Sequence, residues 1–128
     1  MNFFEDLRYT REHEWARKKG DRVVVGITDF AQHQLGDVVY VELPDVGEAV
    51  KKGESFGVVE STKAVSELFA PISGKVVEVN GPLADAPETL NADAYGKGWM
   101  IAIEPSDPKE VDALMDAKAY RALVEEQA

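Results

Sequence analysis

A chain of 128 residues is sized for one hydrophobic core, and its 45% hydrophobic and 30% charged content excludes a disordered tail or a membrane-embedded bundle. Fourteen basic side chains against 24 acidic ones leave a net charge of −10, which repels nucleic-acid phosphates and anionic lipid headgroups. With no cysteine, a disulfide framework, a cysteine nucleophile and thiolate metal sites are excluded, so any sulfur chemistry beyond methionine must be imported.

Met1 to Arg8 lacks the basic and apolar regions of a signal peptide and the Arg-rich, acid-poor character of a transit peptide. No segment approaches the roughly 20 apolar residues of a membrane helix. The expectation is a cytoplasmic protein with neither nucleic acid nor membrane as partner. Trp15-Ala16-Arg17, a Lys19-Gly20-Asp21 turn and the β-branched run Val23–Ile27 read as a hairpin. Thr28 caps a short predicted helix over Asp29–Leu35, with Gly36 free to take the left-handed conformation at its end. Val39, Val41 and Leu43 alternate with Val38, Tyr40 and Glu42 as a strand, stopped by Pro44 and Gly47.

A second hairpin follows: Phe56–Glu60, a polar break at Ser61-Thr62-Lys63, then Ala64–Ala70 ended by Pro71. Lys75–Val79 is the next strand. An irregular acidic stretch from Asp85 to Asp93 then leads to a last strand over Gly98–Ile103. Asp107, Pro108 and Glu110 form a helix start, with Val111, Leu114 and Met115 on one face; Tyr120, Leu123 and Val124 repeat that spacing in a second helix. The expected organisation is a single domain over 1–128, with 107–126 as a helical extension packed on a β-sandwich or flattened barrel.

Among chemistry-bearing patterns, no Gly-rich phosphate loop, Gly-x-Ser-x-Gly elbow or His-Glu-x-x-His motif occurs. His13 between Glu12 and Glu14 does not make a metal site if the segment is extended, because alternating side chains diverge. His33 is placed for an i, i+4 pair with Asp29 or Asp37. The informative run is Glu60-Ser61-Thr62-Lys63-Ala64-Val65-Ser66. A lysine on a tight turn is ordinarily a solvated charge, but here small neighbours and two hydrophobic strands present a primary amine on a rigid, open tip where another enzyme can acylate it.

The tip, the run Gly36 to Pro44 and the segment Ala70 to Val76 resemble the lipoyl and biotinyl carrier superfamily. Tyr9-Thr10, Glu12-His13-Glu14-Trp15, Val25 to Asp29, Gly57 to Ala64 and Tyr95 to Met100 further resemble the glycine cleavage H proteins, in order and over nearly the whole chain. The resemblance implies a mainly β barrel-sandwich hybrid of two antiparallel sheets, with lipoate joined covalently to Lys63 as an amide. It implies a non-catalytic carrier that shuttles the aminomethyl group of glycine from glycine decarboxylase to an aminomethyltransferase and is reoxidised by dihydrolipoyl dehydrogenase. Lipoyl-attaching enzymes are further partners. Glu14 matches an acidic position of the family's adduct cleft, and Glu67 stands where other members often have aspartate; where this chain has Gln34, some members carry histidine. Glu60 and Glu67 flank the tip and are candidates for recognition by the attaching enzyme, and no metal ligand is expected.

Three alternatives share the tip lysine or the fold. A biotin carrier usually flanks its lysine with methionines, whereas Thr62 and Ala64 stand here. A lipoyl domain of a 2-oxo acid dehydrogenase explains neither Glu12 to Trp15 nor the predicted helices after Asp107. A relay that donates lipoyl groups to other carriers is not separable from glycine catabolism by sequence.

Overall fold

The computed structural model describes residues 3–127. Among them two antiparallel sheets form. The larger has the order β1 (Arg8–Tyr9), β2 (Glu14–Lys19), β3 (Arg22–Ile27), β9 (Ile101–Pro105), β8 (Gly74–Val79) and β5 (Ala49–Val50), and the smaller is β4 (Val38–Glu42), β6 (Ser55–Ser61) and β7 (Val65–Phe69). The mainly β barrel-sandwich hybrid expected from the sequence is the observed fold. Val23 and Val25 of β3, Val76 of β8 and Ile103 of β9 are buried in one cluster with Val41, Val59 and Leu68 of the smaller sheet. Period-two alternation puts each of these side chains on an inner face, where burying one contributes about 1.5–3 kcal/mol.

The short helix α1 (Asp29–Leu35) forms where capping chemistry places it: Thr28 Oγ1 accepts the Ala31 N–H at 3.2 Å, and Gly36 ends the helix at φ 78°. Helix α5 (Ala117–Gln127) packs Tyr120, Leu123 and Val124 into a second cluster with Leu7, Tyr9, Trp15 and Phe30. The Tyr9 and Tyr120 rings stack at 4.4 Å. A two-way backbone bridge between Tyr9 and Met115 fixes the approach to that helix. Trp15 reaches its place because it crosses Gly26, where a Cβ would stand 2.6 Å from the indole.

Four readings need correction. The alternation of Val39, Val41 and Leu43 against Val38, Tyr40 and Glu42 fails, because a register shift between Val38 and Tyr40 buries Val38 and Val41 and exposes Val39 and Tyr40. A bulge adds one residue to a strand and re-phases its faces, and no hydropathy pattern marks it. The stretch Asp85–Asp93 is not wholly irregular: α2 (Gly81–Asp85) ends in it, and α3 (Thr89–Ala92) lies within it. Each is a turn or so long, too short for a periodic signal. The last strand runs Ile101–Pro105, not Gly98–Ile103, since the Gly98 and Trp99 N–H groups bond to Asp93 and Gly96 in a turn. Helix α4 (Lys109–Asp112) begins after Pro108, with the Asp107 carboxylate accepting the Lys109 N–H at 3.0 Å.

Candidate functional site

The β6–β7 hairpin is closed by one serine. Its N–H donates to the Ala64 carbonyl at 2.8 Å, and its Oγ accepts the Lys63 and Ala64 N–H groups at 3.3 and 3.1 Å, so Ser61 fixes the turn from inside. Thr62 N–H donates to the Asp37 carbonyl at 3.0 Å, clipping the tip to the chain after α1. Lys63 is exposed, and its ammonium makes no hydrogen bond or ion pair among the described residues. The lysine stem lies on Gly36, where a Cβ would stand 3.3 Å from Cε. Glycine suits this position twice, by its positive φ and by the room it leaves.

Asn91 of α3 holds Gly36 in place. Its Nδ2 donates to the Gly36 carbonyl at 2.8 Å and to Gln32 Oε1 at 3.0 Å, while Oδ1 accepts the Val38 N–H at 2.9 Å. Sequence reasoning missed this residue, and a single asparagine in an acidic stretch carries no signal that would have found it.

Beside the tip opens a cleft of about 450 Å³, walled by Phe30 and Gln34 of α1, by Ala64 to Leu68 after the tip, and by His13 and Glu14. Glu14 is only 2% exposed. Its Oε1 accepts the Thr10 hydroxyl at 2.5 Å and its Oε2 the Phe69 N–H at 3.3 Å. Burial pushes its carboxyl up to about 7, against the downward pull of those two hydrogen bonds. A carboxyl in this setting ionises near neutrality and gains most from a cation that shares its shelter.

Glu67 contributes to the same cleft but is exposed on β7. Glu60 is half-buried on β6 and pairs in register with Val65, the first strand residue beyond the tip. Tyr40 continues that row. The extended conformation assumed for His13 does not hold: it has φ 69°, and its ring bonds to Tyr120 and Gln127 and not to a carboxylate. His33 is exposed and pairs with Asp29 at 3.8 Å, while Gln34 is the helix residue that lines the cleft. No cluster of three metal-ligating side chains occurs among the described residues, and no helix there is long and apolar enough to cross a membrane.

Two packed antiparallel sheets thus present an unpaired lysine at an exposed hairpin tip, the architecture of a carrier-type β-domain. The family model "Glycine cleavage H-protein" matches residues 7–127, and the chain belongs to that family. It is 80% identical over 127 residues to the glycine cleavage system H protein of Anaeromyxobacter sp. (strain K), covering 99% of each chain. It is 66% identical to the H protein of Myxococcus xanthus (strain DK1622), over 94% of this chain and 93% of that one. The crystal structure of a glycine cleavage system H protein from Mycobacterium marinum superposes with a TM-score of 0.87 at 44% identity, covering 98% of this chain and 99% of that one.

Proposed function

We propose that this chain is the non-catalytic lipoyl carrier of a glycine cleavage system in the cytoplasm, with lipoate attached by an amide to Lys63. The observation that carries the reading is the unpaired Lys63 amine, on a stem seated on Gly36 and next in the chain to a cleft whose wall includes the buried Glu14. The site fits the group. A lysine without a partner has an amine available for acylation, and a cleft bordered by Phe30, Leu35 and Leu68 has apolar surface for an aliphatic arm.

When attached, lipoate would supply a disulfide able to carry the aminomethyl group from glycine decarboxylase to the aminomethyltransferase, the resulting dithiol being reoxidised by dihydrolipoyl dehydrogenase with NAD as electron acceptor. The chain's own residues position and shield. Ser61 and Gly36 fix the root of the arm. Glu14 offers its carboxylate to the cargo's ammonium inside the cleft, with Glu67 adding negative potential at the rim. Glu60 and Glu67 guide the attaching enzyme to this one lysine. In this reading residues 1–128 act as a single carrier unit, with 107–126 as a helical extension packed on it.

The test is the intact mass of protein purified from its native source, followed by exchange of labelled carbon dioxide into glycine with purified decarboxylase. A lipoyl increment confined to Lys63 and exchange that depends on it are expected. An unmodified lysine in cells that make lipoate, or a biotinyl increment, would overturn the assignment.

A further inference from the structure

Gln127, at the end of α5, lines the same cleft as Glu14. What holds it there is His13. This residue occupies the left-handed region, which a side chain other than glycine adopts only where its surroundings enforce it. Here the enforcement is visible: its N–H donates to the Thr10 carbonyl at 3.1 Å, and its own carbonyl accepts the Thr28 N–H at 3.0 Å. The turn directs the imidazole onto the Phe30 ring at 4.7 Å, with Nδ1 2.8 Å from the Tyr120 hydroxyl and Nε2 2.9 Å from Gln127 Oε1.

The donors run in one direction along this chain. An amide oxygen only accepts, so Nε2 carries the proton and Nδ1 accepts from the Tyr120 hydroxyl. Tyr120 in turn accepts from Thr28 Oγ1 at 2.6 Å, and that oxygen accepts the Ala31 N–H. Burial lowers the imidazole pKa, against the upward pull of the Gln127 hydrogen bond, and so favours the neutral form. The bonds therefore join the two helices beside the cleft, α1 through Thr28 and α5 through Tyr120 and Gln127.

We propose that His13 is a positioning residue that latches the last turn of α5 against the cleft and so sets how long the cargo beside Glu14 is shielded from water. This inference rests on the carrier reading above. A merely structural role would lower the melting temperature of a His13 variant and leave the cargo lifetime unchanged.

The test uses the full lipoylated chain, loaded by the decarboxylase and then separated from it. Q127A removes one acceptor and leaves the His13 backbone untouched. H13N keeps a residue that tolerates positive φ but is too short to span Tyr120 and Gln127. Both are expected to release formaldehyde and ammonia about two- to tenfold faster than wild type, the range that loss of one hydrogen bond gives. Amide exchange should rise in the last turn of α5, while the rate of lipoate attachment to Lys63 stays at the wild-type value. Release at the wild-type rate in both variants, with exchange raised, overturns the latch and leaves the carrier reading standing. If H13N does not fold, Q127A decides alone. A wild-type Lys63 that accepts no lipoate overturns both readings together.

Discussion

The Glu14 carboxylate accepts the backbone N–H of Phe69 at 3.3 Å, which ties the buried charge of the large sheet to the strand that leaves the lysine hairpin. Its other oxygen is held by Thr10, so the side chain has one orientation, between two elements, where the residue borders both the cleft and a second cavity lined by Thr10 and Phe69. The acid on β2 is thus bonded to the far end of β7, the strand that begins just beyond the root of the arm. Displacing Glu14 therefore displaces one end of β7, which makes an isosteric amide the informative substitution.

The raised pKa gives a pH signature. Folding lifts Glu14 from an ordinary value of 4.5 to about 7, chiefly by burial. The folded state thus binds the proton more tightly than the unfolded one. That stabilisation is complete below about pH 4.5 and is lost as the pH rises through about 7. A Glu14→Gln variant stays neutral throughout, so its stability relative to wild type should rise between pH 5 and 8, approaching on the order of 3 kcal/mol. Urea unfolding at both pH values measures it, and a difference that does not change with pH would remove the buried charge from the account.

Attachment should depend on the amine and on its flanking acids separately. Lys63→Arg keeps the charge, but a guanidinium is protonated at all accessible pH values and cannot act as the acyl acceptor, so lipoylation should be lost. Folding should change by less than about 0.5 kcal/mol, because the side chain is exposed. Glu60→Gln should slow attachment without unfolding the chain, with a salt dependence that fades as the charge is removed. Mass spectrometry of timed lipoylation reactions reads both. Lipoate on the arginine variant, or an unchanged rate for the glutamine one at every salt concentration, would contradict the respective assignment.

Gly36 supports the arm by conformation and by space. Gly36→Ala adds a Cβ 3.3 Å from the Lys63 stem at a φ of 78°. With ψ at −153° this backbone is open almost only to glycine and costs another residue about 1–3 kcal/mol, and the lysine must also shift. We expect a stability loss of that size together with slower lipoylation. If stability and attachment are both unchanged, the seat is not enforced.

The hairpins, the capped helix and the tip lysine were legible because each rests on a local rule: alternation, a Thr28 cap, a polar break between apolar runs. What was not legible depends on contacts distant in the chain. The bulge at Val38–Tyr40 is set by pairing with β6, and the left-handed His13 by bonds to Thr28, Tyr120 and Gln127. Asn91 acquires its importance only when α3 folds onto Gly36. Glu14 and Glu67 look alike in sequence, yet one is buried and the other exposed, because the turn before β2 carries Glu14 inward while β7 is a sheet edge.

That difference decides what each acid can do for a cationic cargo. At exposed Glu67 an ion pair is worth about 0 to 1 kcal/mol, whereas at Glu14 water is largely excluded and removing one partner of such a pair costs more. Oxidised lipoate carries no amine and gains nothing from either. Glu14→Gln should therefore shorten the lifetime of the loaded form by about fivefold or more, read as formaldehyde and ammonia release without the aminomethyltransferase, and leave initial lipoylation unchanged. Glu67→Gln should have the smaller effect. Because the carboxyl must be ionised to pair, the gap between wild type and Glu14→Gln should close as the pH falls and Glu14 takes up its proton. The cargo's own charge favours ionisation and shifts that closure below the value of about 7 that holds without it. Equal release rates for wild type and Glu14→Gln at pH 8 would exclude Glu14 as the cation's partner and leave Lys63 as the attachment site.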